Sequence, residues 1–418
     1  MAIKEYRDMQ KRCSSCNFCK WIPFDKVKSA RFAENCPAQA YYQYNGYSAR
    51  GRFQLGLCLV NDELEPAGET QKVIQSCLSC GACDVACKIC RYNLEPLEHN
   101  LELKREVVRA GNETAVQKNM RANLMSEHTM LAGKKKEDRD AWAEGLGLID
   151  ARKEACEALF FPGCQYAYNR PEEARKAVQV LQRAGVKVGY LFEDDACCGG
   201  RMHQMGMQED FEAAAKANIR HFDAVSADYI VTPCGDCYHA LKRRYAEQGL
   251  AKKVLHLTEV LAALIEEGRL VFTKRVEKTV TYHDPCHLGR LGEGYEPWNG
   301  KEVKIRSQIV TWEPRRPRYN GIHGVYDAPR KILEAIPGVT LVEMERIREY
   351  SFCCGAGGGC TELDPELSKW TAAERMEEAK ATGASAVVTA CPWCVSNLSA
   401  AESGMEVTDI LTLVCEAL

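Results

Sequence analysis

Two stretches, Ala196-Cys197-Cys198-Gly199-Gly200 and Phe352-Cys353-Cys354-Gly355-Ala356, each set a pair of adjacent cysteines before a glycine. A lone cysteine precedes each pair, Cys164 in the first copy and Cys286 in the second. A Cys-x-x-Cys follows each, Cys234 and Cys237 first, then Cys391 and Cys394. The downstream gaps nearly match, 36 positions from Cys198 to Cys234 and 37 from Cys354 to Cys391. Two five-thiol sets at such similar spacing point to a duplicated metal site on a duplicated scaffold.

The sequence around the cysteines has α/β grammar. In the first copy Leu159-Phe160-Phe161 reads as a buried strand running into Cys164. A helix follows from Pro171 to about Ala184, with proline in its first turn and Gly185 at its end. Val186 to Phe192 is the next strand, Glu209 to Val225 the next helix, and Tyr229 to Thr232 a strand that stops at Cys234. The second copy repeats the order. Thr279 to Tyr282 leads to Cys286, a helix starts near Pro329, Val339 to Val342 leads towards Cys353, and Ala386 to Thr389 stops at Cys391. Ligands of parallel α/β sheets gather beyond the carboxyl ends of strands, which is where every one of these cysteines falls. Gly199, Gly200, Gly355, Gly357, Gly358 and Gly359 would let backbone approach a bulky group and donate N–H to its sulfurs.

Ten more cysteines lie before about residue 110. Cys13, Cys16 and Cys19 form one triplet, and Cys36-Pro37 supplies a distant partner. Cys77, Cys80, Cys83 and Cys87 have the spacing of a bacterial two-cluster ferredoxin, with Lys88 where proline usually follows. In such runs the fourth cysteine reaches across to the other cluster. The expected grouping is therefore Cys13, Cys16, Cys19 and Cys87 on one cubane cluster, and Cys36, Cys77, Cys80 and Cys83 on the other. Zinc knuckles, the alternative, would use two pairs rather than repeated triplets. The long stretch between the triplets suits an α-helical ferredoxin module better than a compact two-hairpin one. Cys58 and Cys90 fall outside the pattern, and Cys58 reads as core.

The chain is thus expected to hold a helical two-cluster ferredoxin module over 1–110 and a charged helical linker over 111–155. Two α/β half-domains related by a pseudo-two-fold axis follow, over 156–275 and 276–418. The linker reads either as a docking surface or as a solvated face.

The remaining composition narrows the function. With 23 cysteines in 418 residues and no secretory signal, grouped metal thiolates are expected rather than a disulfide scaffold, and a reducing cytoplasmic location with them. The formal net charge of −3 makes no case for nucleic acid, and no apolar run is long enough to span a bilayer. No G-x-G-x-x-G follows a strand, so electrons are expected from a partner subunit rather than from a flavin or nicotinamide bound here.

The copies differ in one respect: 33 positions separate Cys164 from Cys197, but 67 separate Cys286 from Cys353. The excess falls around Leu291 to Gly324, with Tyr295, Trp298, Trp312, Arg315, Arg316, Arg318 and Tyr319. It reads as a lid, a partner-docking loop or a solvated excursion. His283 and His287 flank Cys286, and each is either a structural histidine or a donor to a metal-bound sulfur; His203 is read the same way. Arg201 reads as an anion contact or an ordinary surface arginine. Cys360 follows close behind the second pair.

These blocks resemble the paired cysteine-rich CCG domains of heterodisulfide reductase. Similar blocks occur in the iron–sulfur subunits of glycolate oxidase, lactate utilisation and anaerobic glycerol-3-phosphate dehydrogenase. With a two-cluster ferredoxin module fused in front, the chain is most similar to the D-subunit family of heterodisulfide reductase. The resemblance implies two non-cubane four-iron clusters besides the two cubanes. One would lie on Cys164, Cys197, Cys198, Cys234 and Cys237, the other on Cys286, Cys353, Cys354, Cys391 and Cys394. It implies that a disulfide is reduced at Cys197-Cys198 and Cys353-Cys354. It also implies other redox subunits as partners: a flavoprotein, a hydrogenase-type subunit, or a membrane quinone or cytochrome subunit that would tether the chain to a membrane surface. The alternative is an electron-relay subunit without a substrate of its own, as in class II benzoyl-CoA reductase, quinone-linked or electron-bifurcating assemblies.

Overall fold

In the computed structural model, residues 3–90, 94–293, 300–305, 309–314 and 321–418 are described. Short apolar, β-branched runs bounded by glycine and proline build two parallel sheets. In the first, β1 (Ile149–Asp150), β2 (Cys156–Phe160), β3 (Val188–Tyr190), β4 (Ala227–Thr232) and β5 (Lys253–His256) lie in the order β1-β3-β2-β4-β5. Next in the chain come β6 (Lys278–His283) and an antiparallel hairpin of β7 (Lys301–Ile305) and β8 (Ile309–Glu313). With β9 (Val339–Leu341), β10 (Ala386–Thr389) and β11 (Glu406–Asp409), β6 forms the second sheet, ordered β11-β10-β6-β9. Read outward from the centre, β3-β2-β4-β5 and β9-β6-β10-β11 are one topology, as a duplication requires. The register is equivalent too: Phe160 pairs with Val231 and Thr389 with His283.

Helices cover the sheet faces, so the central strands are apolar throughout, as parallel strands covered on both sides must be; Ala386–Thr389 is buried at every position. The two halves pack reciprocally. Helix Leu257–Glu266 of the first lies against Asp327–Ala335 of the second, and helix Ile410–Ala417 of the second lies against Pro171–Arg183 of the first. Leu261, Leu333, Leu413 and Leu181, one from each helix, are all buried in one continuous core. This exchange of helices is the pseudo-two-fold relation in physical form.

Residues before 110 form helices, among them Pro37–Tyr42, Ala49–Val60, Ala82–Cys90 and Pro96–Arg109, with one isolated β-bridge between Trp21 and Glu34. The stretch 111–155 departs from a solvated linker. Helix Ala115–Glu127 opens it on a capping box of Thr114 and Gln117. Further on, Trp142 and Arg139 are buried, and Ile149–Asp150 joins the first sheet at its edge. The insertion of the second half holds the β7–β8 hairpin, on which Trp312 is half-buried; Tyr295, Trp298, Arg315, Arg316, Arg318 and Tyr319 lie outside the described residues. No helix among the described residues is long and apolar enough to cross a membrane.

Candidate metal centres

Each strand of the two central trios delivers cysteines just past its carboxyl end. In the first half β2 leads to Cys164, β3 to Cys197 and Cys198, and β4 to Cys234 and Cys237. The five thiols are buried together. Cys164 hydrogen-bonds Cys197, Cys198 lies 3.5 Å from Cys237 between sulfurs, and Cys234 bonds Cys237. Backbone N–H groups turn toward the sulfurs as the glycines allow: Gly199 N donates to Cys197 Sγ at 3.4 Å and Gly200 N to Cys198 Sγ at 3.5 Å. Gly163, at φ +72°, is there because a Cβ would stand 2.6 Å from Cys237 Sγ.

The second half repeats this with β6, β9 and β10. Cys286 hydrogen-bonds Cys353, Cys394 Sγ lies 3.2 Å from Cys354 Sγ, and Gly355 N donates to Cys353 Sγ at 3.4 Å. His283, Cys354 and Cys394 bring their ligand atoms within 4.8 Å of one another. Arg375 Nε donates to His283 Nδ1 at 3.0 Å, so His283 Nε2 carries the hydrogen, and this buried atom has no hydrogen-bond partner. It is left free to donate to a sulfur of the site. His287 Nδ1 stands 3.0 Å from Asp236 Oδ1 and 3.5 Å from Cys286 Sγ. Burial disfavours the imidazolium, but the Asp236 carboxylate outweighs it and raises His287 above its ordinary value. This buried ion pair spans the two sites, since Asp236 lies between Cys234 and Cys237 and His287 adjoins Cys286.

The two thiol sets touch. Cys234 hydrogen-bonds Cys391, its equivalent across the pseudo-two-fold axis. A second contact leads out to the N-terminal helices, where Cys80 hydrogen-bonds Cys353. Cys36, Cys77, Cys80 and Cys83 line one small cavity, closed by Ala38, Arg52, Leu97 and Asn100 among others. Asn100 Nδ2 donates to Cys77 Sγ at 3.7 Å. Cys87 stands in the field of Cys19, Cys13 and Cys16, the second N-terminal group, in which Cys16 is exposed.

Without metal, most of these thiols hold their protons tightly. Burial raises Cys36 to about 11 and Cys19 to about 12; a hydrogen bond to Cys353, then burial, raises Cys80. Thiol chains produce three exceptions: Cys391, lowered by Cys234 and Cys394, and two thiols at equivalent positions. Cys197 and Cys237 donate to Cys198, and Cys353 and Cys394 donate to Cys354, holding each near 5. A thiolate-binding metal group suits such a donor set, and binding it would release the protons held by the others. The clustered sulfurs, the inward N–H groups and the donor at His283 Nε2 all fit an iron–sulfur group.

The structure resolves several readings left open by the sequence. Arg201 is a buried tie, not a surface residue: it pairs with Glu362, donates to Ala356 O at 2.7 Å and lies over the Trp393 ring. His203 Nδ1 lies 2.9 Å from Gln208 Oε1, and its buried Nε2 has no hydrogen-bond partner. Cys58 is half-buried on helix Ala49–Val60, and Cys360 is fully buried with Gln75 O as its acceptor. Arg139 went unrecognised. Inside the supposed linker, its Nε bonds Asp195 Oδ2 at 2.6 Å, its Nη1 stands 3.8 Å from Cys164 Sγ, and its buried Nη2 has no partner. Its local sequence, Lys136-Glu137-Asp138-Arg139, reads as solvated, so no local signal marks it.

The cysteine-rich domain family, CCG, matches this chain twice, at residues 158–242 and 316–399. The second match begins after Cys286, which the fold returns to Cys353 across the insertion. The chain is 29% identical to the Methanosarcina mazei protein named as the D subunit of dihydromethanophenazine:CoB–CoM heterodisulfide reductase, over 97% of this chain and 93% of that one. It is 29% identical to the probable iron–sulfur-binding oxidoreductase FadF of Bacillus subtilis, over 81% of this chain and 45% of that protein. It is 27% identical to the EtfAB:quinone oxidoreductase of Syntrophomonas wolfei, over 83% of this chain and 47% of that protein. The chain thus matches the cysteine-rich domain twice and is similar along nearly its whole length to the D subunit of heterodisulfide reductase.

Proposed function

We propose that this chain is an electron-transferring iron–sulfur subunit of a larger redox complex, with reduction of a disulfide as its terminal chemistry. The observation that carries this reading is an unbroken run of thiol contacts. Cys80, from the cavity of Cys36, Cys77 and Cys83, touches Cys353 of the second set, and Cys391 of that set touches Cys234 of the first. Four-iron clusters would supply one-electron storage at the four cysteine groups: cubanes on Cys13, Cys16, Cys19 and Cys87 and on Cys36, Cys77, Cys80 and Cys83, and non-cubane clusters on the two five-thiol sets. The chain's own residues hold and space these groups, keep water from three of them, and donate N–H from Gly199, Gly200, Gly355 and His283.

The half-exposed group around Cys16 suits delivery of electrons by a partner, such as a flavoprotein, a hydrogenase-type subunit or a membrane quinone or cytochrome subunit. Electrons then pass inward to Cys353 and Cys354 and on to Cys197 and Cys198. At these pairs the substrate's S–S bond breaks as it takes two electrons from the partner and two protons, leaving two thiols. Likeness to the D subunit of heterodisulfide reductase supports this substrate class, and likeness to the quinone oxidoreductase supports a relay in a complex.

The test is iron, acid-labile sulfide and zinc per chain on protein purified without oxygen, followed by disulfide turnover with a reduced dye. Four four-iron clusters predict about 16 iron atoms, with a similar amount of sulfide. Full iron with turnover supports the reading. About half that iron, or full iron with no turnover by the chain and its partners, would leave an electron relay instead.

A further inference from the structure

Ten lysine and arginine side chains among the described residues are buried. Seven pair with a carboxylate: Lys88 with Glu95, Arg139 with Asp195, Arg201 with Glu362, Arg244 with Glu98, Arg330 with Asp284, and Arg346 and Arg375 with Glu378. Three do not: Arg52 lines the cavity of Cys36, Cys77, Cys80 and Cys83, Lys104 holds the Cys77 carbonyl of its wall, and Arg290 lies in the field of Cys80.

Arg52 lines that cavity and donates only to carbonyls, Nε and Nη2 to Val73 O at 3.1 and 3.0 Å and Nη1 to Tyr47 O. Lys104 Nζ donates to Cys77 O at 2.6 Å, Gly358 O at 2.8 Å, Gln204 O at 3.1 Å and Ser79 Oγ at 3.4 Å. Arg290 donates to Glu349 O and Ser351 O and lies in the field of Cys80, Cys286 and Cys353. Burying a cation against neutral carbonyls is costly, because they do not replace the hydration it loses. Three such cations beside one cysteine group, in a chain that elsewhere pairs its buried cations, call for an anion among them. A four-iron cluster on four thiolates is negative in both oxidation states, and more so when reduced.

We infer that Arg52, Lys104 and Arg290 are the built-in counter-charge of the cluster held by Cys36, Cys77, Cys80 and Cys83, and that they hold its reduction potential up. The inference rests on the proposed cluster in that cavity. Burial alone would lower the potential, because a reduced anion is poorly solvated there; three fixed cations reverse that. The cluster bonded closest to Cys353 is thereby kept able to receive electrons from the more exposed group.

The experiment is a redox titration of the whole chain, followed by the electron paramagnetic resonance of the reduced cubanes. Wild type is compared with Arg52→Met, Lys104→Met and Arg290→Met, and with the charge-keeping Arg52→Lys and Arg290→Lys. Each methionine variant is expected to lower one cubane's ratio of reduced to oxidised form about tenfold at a fixed solution potential, or ~59 mV for one electron. The lysine variants are expected to keep it within about threefold. Unchanged potentials in the methionine variants would overturn the inference, as would equal shifts in the lysine variants. Loss of iron from Arg290→Met with retention in Arg290→Lys supports it, whereas loss from both marks a packing role and overturns it. Cys36→Ala separates the two levels of failure. If that change removes no iron from wild type, no cluster occupies the cavity and the underlying reading fails, not the charge relation alone.

Discussion

Cys234 and Cys391 stand at the same position in the two repeats, and their side chains hydrogen-bond each other. The pseudo-two-fold axis therefore passes between these two sulfurs, and the two five-thiol sets meet where their scaffolds are most alike. Burial and the Cys391 contact raise Cys234, while the contact from Cys234 and Cys394 lowers Cys391.

Replacing Cys234 or Cys391 by serine is expected to remove one four-iron cluster each, about 4 of about 16 iron atoms. The cubane signals should persist in both variants. Metal analysis and paramagnetic resonance check this; loss of all clusters from either variant would refute the division into separate sites.

Arg139 and Asp195 form a pair in which each side chain is 1% exposed. Arg139→Met leaves the Asp195 carboxylate buried without its cation, a change that costs ~3–5 kcal/mol. The expected result is a lower unfolding midpoint together with an altered signal from the first five-thiol site and an unaltered one from the second. Denaturation and spectroscopy on the same sample measure both.

His99 has no exposed surface and packs between the rings of Tyr6 and Phe53, with Gln10 Nε2 3.1 Å from its Nε2. Burial, with the Arg52 cation behind it, lowers it from 6.5 to about 3. The folded chain thus favours the neutral ring. Its contribution is present in full above pH 6.5 and is lost as pH falls from there towards 3. The loss is expected to be a few kcal/mol, at ~1.4 per pH unit. Comparing melting of wild type and His99→Leu from about pH 7 to about pH 4 isolates it: the gap between them should narrow as pH falls.

Gly268 and Gly358 share a left-handed backbone, φ +69° and +67°, yet a Cβ meets nothing within 4 Å at Gly268 and Cys77 O at 2.1 Å at Gly358. Gly268→Ala should cost only ~1–2 kcal/mol of backbone strain. Gly358→Ala should also push the Cys77–Ser79 loop from the second half and slow electron passage between them. Stopped-flow reduction of the five-thiol sites reads that step.

The cysteines made much of the site legible. Strand ends, the duplication and the thiol sets are encoded in regular spacings and short apolar runs. What stayed hidden is long-range and polar. β5 and β11 carry Lys253, His256, Glu406 and Asp409, which look like surface, and they are edge strands held by their neighbours. Lys104 lies in Glu102-Leu103-Lys104-Arg105-Glu106, a run that reads as a solvated helical face, yet Glu102 and Lys104 are both buried. The environment of Lys104 includes Gln204 and Gly358, far away in sequence, and no local period can announce that. Arg139 was hidden for the same reason.

Where the first repeat carries Arg201-Met202-His203, the second carries Gly357-Gly358-Gly359. Only the glycine version admits backbone at contact distance, and Leu78 and Cys77 fill that space. Both repeats touch the N-terminal helices, the first through Gln204 and Gly206 at Lys104, but only the second takes the Cys77–Leu78 backbone at contact distance. The loss of side chains in one copy is what gives a symmetric protein a direction: the repeats can no longer trade places, and on the proposed function current would run from the second to the first.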